Sequence, residues 1–159
     1  MIDKDKLKNF EKLPADIRRQ FSLLANQYGE KKKTAGIQNN FMDFVKHVWP
    51  DFIEGNHHKT IADKFDRLAQ GKIKRLIINM PPRHTKSEFG SYLLPAWMVG
   101  RNPKLKIIQS TNTTELSVRF GRKAKSLMDS PEYKQVFKTR LNPDSQAAGK
   151  WETEQGGEY

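Results

Sequence analysis

The feature that most constrains this chain is a change of hydrophobic period near residue 76. Upstream, apolar residues recur at helical spacing, with Phe41, Phe44, Val45 and Val48 on one stripe and Ile61, Phe65 and Leu68 on another. Leu76, Ile77 and Ile78 then form a short continuous apolar run, the pattern of a strand buried on both faces. A helical stripe resumes from about Lys86 through Phe89, Leu93, Ala96 and Trp97. "KLKIIQS", starting at Lys104, reads as a second strand, and Leu116, Phe120, Ala124 and Leu127 mark another amphipathic helix. Strand, helix, strand, helix with short connections implies right-handed crossovers and parallel pairing. The expected class is therefore α/β, a parallel sheet flanked by helices.

Local punctuation supports this division. Asn40 is placed to cap the helix that Pro50 ends, and Gly71 suits the end of the next one. Ahead of them, Ile17, Phe21 and Leu24 share a helical stripe between Pro14 and Gly29, so residues 1–40 read as a helical arm. Pro95 is expected to kink or end its helix, because its ring collides with the carbonyl of Ser91. Beyond Pro131, "PEYKQVF" reads as a short helix and "KWETEQGGEY" as the beginning of a strand pair.

Composition narrows the chemistry. With no cysteine among 159 residues, disulfides, thiol catalysis and cysteine-based zinc sites are excluded. No apolar run approaches the roughly 18 to 20 residues of a membrane span, and "MIDKDKLKNFEK" lacks the apolar core of a secretory signal. No membrane partner is expected, and the expected compartment is cytoplasmic. The net charge of +11 favours a polyanion partner such as nucleic acid, the plainer alternative being a solvated basic surface.

The stretch "RLIINMPPRHTKSEFG" carries the chemistry. Phosphate-binding loops run G-x-x-x-x-G-K-[ST] between a buried strand and a helix. Lys86 and Ser87 stand at that strand-to-helix turn, while Met80 and Thr85 occupy the two glycine positions. A lysine at a helix start opposes the helix dipole, so its presence is better explained if an anion binds there. Arg83 and His84 strengthen that reading, against the plainer one of a surface lysine. Thr85 is expected either to keep φ negative or to be strained, because a β-branched residue in a left-handed conformation costs about 1–2 kcal/mol.

From "RLIINMPPRHTKSEFGSYLLPAWMVGRNPKLKIIQS" to "TNTTELSVRFGRKAKSLM" the chain closely resembles the ATPase domain of the phage terminase large subunit, the viral DNA-packaging motor. "GNHHKTIADKFDRLAQGK" and "KWETEQGGEY" extend the likeness over roughly residues 40 to 159. In that family the loop commonly reads Pro-Pro-Arg-His-Gly/Thr-Lys-Ser. The resemblance implies a P-loop NTPase-type sheet that binds ATP and Mg2+. It implies that Pro82, Arg83, His84, Thr85, Lys86 and Ser87 cradle the phosphates. Within that loop Lys86 would neutralise the β/γ-phosphates, Arg83 would reach the γ-phosphate as a catalytic group, and Ser87 would be the magnesium ligand. His57 and His58 fall where family members hold the adenine ring; alternatively, one caps a helix and the other is solvated.

The resemblance further implies double-stranded DNA as a non-specific partner, a portal protein, a small terminase subunit, a homo-oligomeric ring and the host cytoplasm. Ser110, Thr111 and Asn112 end the second strand, where they either touch phosphate or DNA or cap the next helix. Arg119, Arg122, Lys123 and Lys125 give that helix a basic flank, for DNA or for solvent. No apolar strand ending in Asp follows, so residues 41–159 are expected to be the front part of the ATPase domain, ending before its acidic Walker B strand and inactive alone. The competing functions are another DNA-translocating P-loop ATPase, such as a helicase-like protein, and a basic nucleic-acid-binding module with no nucleotide site.

Overall fold

The computed structural model describes residues 13–159. In chain order they form α1 (Ala15–Asn39), α2 (Phe41–Val48), α3 (Asn56–Ala69), α4 (Lys86–Glu88), a π-helical turn (Phe89–Leu93), α5 (Leu94–Arg101), α6 (Thr114–Asp129), α7 (Pro131–Val136), β1 (Leu141–Ala147) and β2 (Lys150–Thr153). The fold is mixed but mostly helical. The chain divides into two units, one ending at Ala35 and one beginning at Gly36.

In the first unit α1 begins just after Pro14 and runs through Gly29, which was expected to stop it. A mid-helix glycine costs only about 1 kcal/mol, and the good helix formers Glu30 to Lys33 follow at once. Its apolar residues Ile17, Leu24 and Tyr28 are exposed.

The second unit is organised around Phe41, which is fully buried. Its ring meets Phe65, Phe89 and Trp97 edge-on, with centroids 5.0, 5.4 and 5.4 Å away. Helical spacing on α2, α3 and the Lys86 helix thus converges on one cluster, as the stripes predict. Asn40 caps α2 by accepting the Asp43 amide at 2.9 Å. Asp66 of α3 takes the Phe41 amide at 2.7 Å, joining the two helices through the orphan donors of the first turn. Burial is the largest influence on that carboxyl and pushes its pKa up, against the opposing pull of the Phe41 amide. At the back, Trp97 donates to the Ile37 carbonyl and Tyr133 to that of Ala96.

Pro95 neither ends nor breaks its helix. Phe89–Leu93 widen into a π turn in which the Leu94 amide bonds Phe89, and Pro95 follows directly after this shift in the hydrogen-bond ladder. Residues 86–101 are consequently one continuous helical rod that starts at the loop and passes through the core.

The expectation of a strand buried on both faces at Leu76–Ile78 is corrected. Leu76, Ile78 and Met80 pack against the core, but Ile77 between them is 86% exposed. The second predicted strand behaves alike, with Ile107 partly buried and Ile108 97% exposed. One face of each segment packs on the core, and none of the described residues covers Ile77 or Ile108 on the other. The second segment makes one parallel bridge, Lys106 with Glu158, through Ile107 to Glu158 at 2.8 Å and Glu158 to Leu105 at 3.1 Å.

The two-stranded sheet is the antiparallel pair β1 and β2, with Leu141 opposite Thr153 and Ala147 opposite Lys150. Past β2 the chain turns at Gly156 and Gly157 to lie against the loop after α5. A Cβ on Gly157 would stand 2.4 Å from the Pro103 carbonyl oxygen, so only glycine fits. The turn is held by Thr153, which donates to Pro103 and accepts from the Gly157 amide. Trp151 stacks flat on Tyr159 at 4.8 Å and donates to Gly121 on α6.

Candidate functional site

Met80 to Glu88 line a concavity of about 580 Å³, in the range of small-ligand sites. Two of its residues, Arg83 (φ 64°) and Thr85 (φ 60°), are left-handed, and they are the only non-glycine residues with positive φ among those described. Such residues gather successive backbone amides into anion-binding concavities. The helical rod begins at Lys86, and the amides of its first turn have no carbonyl one turn earlier. Thr85 therefore takes the strained alternative, in a conformation that costs a β-branched residue about 1–2 kcal/mol.

A chain of hydrogen bonds holds it there. The Gly55 amide donates to His58 Nδ1 at 2.9 Å, which leaves the ring proton on Nε2. His58 Nε2 donates to Thr85 Oγ1 at 2.6 Å, and Thr85 Oγ1 donates to the His84 carbonyl at 2.6 Å. His58 is buried between Phe52 and Phe89, whose ring centroids lie 4.8 and 5.1 Å from its own. Gly55, the N-cap of α3, must be small, since a Cβ there would lie 2.9 Å from the His57 ring. Of the two readings of this histidine pair, helix capping holds for His58, which also reaches the loop. Burial, with His57 second and His84 also contributing, lowers its pKa, while Glu54 acts in the opposite direction.

The charged side of the loop is open. Pro82, Arg83, His84, Lys86 and Ser87 are exposed, and among the described residues neither Arg83 nor Lys86 has an ion pair. His84 Nδ1 donates to the Pro82 carbonyl at 2.9 Å, so this histidine shapes the loop. Glu88 does not neutralise Lys86, because Lys123 of α6 holds both its oxygens at 2.8 and 2.9 Å. His57 is exposed, its ring 3.8 Å from His58 and 5.7 Å from His84. The six loop residues and the two histidines thus form one neighbourhood.

Other sequence candidates lie elsewhere. Thr113, rather than Ser110 to Asn112, caps α6 by accepting the Leu116 amide, and Thr111 donates to the Thr113 carbonyl. Arg119, Arg122 and Lys123 border a second cleft of about 460 Å³ with Tyr92, Ser126 and Ser130. Glu88, Lys123 and Gly55 were missed as parts of the site. Only Gly55 left a signal, as a residue able to precede a helix with His58 at its third position, the spacing of a capping box.

Comparison with family models, with curated proteins and with solved structures finds no match. Among the described residues no helix is long and apolar enough to cross a membrane, and no group of three or more His, Asp or Glu side chains is arranged to hold a metal.

Proposed function

We propose that the loop from Pro82 to Ser87 binds the phosphates of ATP, and that this chain is the ATP-binding part of a viral DNA-packaging motor of the terminase large-subunit type. One observation carries the reading. A loop with two left-handed non-glycine residues, and with two cations that have no ion pair among the described residues, opens a helix whose other side is fixed in the aromatic core. Without an anion, that arrangement strains the backbone and sets like charges together at the positive end of a helix.

In this reading Lys86 neutralises the β/γ-phosphates, Arg83 approaches the γ-phosphate, His84 braces the loop, and His57 flanks the base. Magnesium keeps most of its water and takes one or two protein ligands beside the phosphates, so the single exposed hydroxyl of Ser87 fits it. When bound, the ion spreads the charge of the phosphates. The role assigned to these residues is binding; the carboxylates that would complete hydrolysis are not among them, and Glu88 is engaged by Lys123.

The finer fold belongs to the same proposal. The segments through Ile77 and Ile108 are edge-open strands of a parallel P-loop sheet. What supports this is their alternating burial, their largely unpaired backbones and the helix that follows each. Duplex DNA is the proposed polymer, bound through charge rather than sequence.

Displacement of a fluorescent ATP analogue tests the reading. Tripolyphosphate should displace it and adenosine should not, because the loop offers charge and amides and little else. Displacement by adenosine but not by tripolyphosphate would place the nucleotide elsewhere. DNA affinity should fall steeply with salt. Sequence-selective binding that survives high salt would contradict that part.

A further inference from the structure

We infer that His58 is a positioning residue for the phosphate loop, acting through Thr85 to hold the left-handed turn that a glycine would adopt unaided. The inference rests on the nucleotide reading and assigns it a device. Three facts carry it. Thr85 stands at the loop position where the phosphate-binding pattern has glycine, and its φ is +60°. Its hydroxyl is bonded on both sides, accepting from His58 Nε2 at 2.6 Å and donating to the His84 carbonyl at 2.6 Å. His58 is itself immobile, with Nδ1 fixed by the Gly55 amide and its ring between Phe52 and Phe89.

The direction of each bond gives the device its logic. Gly55 can only donate, so the ring must be neutral with its proton on Nε2. That proton occupies one lone pair of the Thr85 oxygen and turns the hydroxyl hydrogen toward His84. The threonine is thereby tied to its own preceding carbonyl, in the geometry that a left-handed residue needs. A β-branched residue, ordinarily a poor substitute for glycine here, becomes a fixed one. The loop is then set before ligand arrives, and less ordering is needed on binding.

Protonating His58 would remove the acceptor for Gly55 and loosen the chain at its fixed end. The groups facing the ring are Glu54, which favours the charged form, and His57 and His84, which oppose it. The phosphates of a nucleotide also take up protons in the acid range, so a bare pH profile mixes several effects. Comparison with a variant that does not need the latch separates them.

The experiment is a cycle on the full chain, with magnesium ADP as probe, calorimetry as readout and thermal melts confirming folding. His58→Asn should weaken binding about five- to tenfold, the size of one lost buried hydrogen bond to a preorganised group. Thr85→Gly should bind within about twofold of wild type, since glycine takes positive φ freely. Adding His58→Asn to Thr85→Gly should then change little. Thr85→Val keeps the β-branch, removes only the hydroxyl, and should weaken binding as His58→Asn does. Below neutral pH, wild type should lose affinity relative to Thr85→Gly. Equal effects of His58→Asn in both backgrounds, wild-type binding by Thr85→Val, or parallel pH profiles would overturn the latch while leaving the loop reading intact. Wild-type affinity in Lys86→Ala, or no binding by wild type, would remove the loop reading and the latch with it.

Discussion

The aromatic cluster around Phe41 and the extended stretch through Ile77 are built to opposite standards. In the cluster every face of a ring is used: Phe41 touches partners from α3, the π turn and α5, and none of it is exposed. In the stretch every second residue is used; Ile78 packs inward while Ile77 stands 86% exposed. Helices complete their own backbone hydrogen bonds, so a helical cluster can be saturated by the described residues alone. An extended segment completes its bonds only with a neighbour. The difference teaches where this fold is closed and where it stays open, and the loop lies at their junction. Its front follows the open stretch, and its back, through His58 and Phe89, belongs to the closed cluster.

The comparison breaks or sharpens by mutation. Phe41→Ala should have the largest effect, a loss of about 3–5 kcal/mol in a urea melt, because the cavity is ringed by rigid aromatics. Gly157→Ala should cost about 1–3 kcal/mol, as its Cβ would meet backbone rather than a movable side chain. Stability should also fall as pH drops below the ordinary histidine range. The folded pKa of His58 is depressed, so its contribution is complete above the unfolded value and is lost as pH falls through the folded one. His58→Asn should flatten that acid limb in melts across pH. Ile77→Lys should be smallest, within about 0.5 kcal/mol, since none of the described residues covers it. A loss as large as that of Phe41→Ala would show that Ile77 is buried in solution and the comparison is false.

Much of the closed region was legible in the sequence, because helices declare themselves locally. The stripes on α2, α3 and α6, the Asn40 cap and the placement of Lys86 at a helix start all follow from residues within a few positions of each other. The open region was legible only in part. The apolar run at Leu76–Ile78 announces an extended segment, but whether both faces are covered depends on partners that period cannot reveal. The fine structure of the site was hidden for the same reason. The His58–Thr85 bond spans 27 positions and the Lys123–Glu88 pair 35, and neither leaves a local pattern. Pro95 misled in the opposite way. A local rule demanded a kink or an end, and the helix runs on past Pro95 by way of a π turn five residues long just upstream.

The central claim is that the loop binds phosphate through Lys86. Calorimetry with magnesium ATP tests it most directly on three proteins: wild type, Lys86→Ala, and Lys134→Ala, which removes the same charge from an exposed site on α7 whose partner is Asp129. Wild type and Lys134→Ala should bind alike, and Lys86→Ala should bind at least about tenfold more weakly, as loss of a charge-assisted contact predicts. Equal binding by all three would contradict the account.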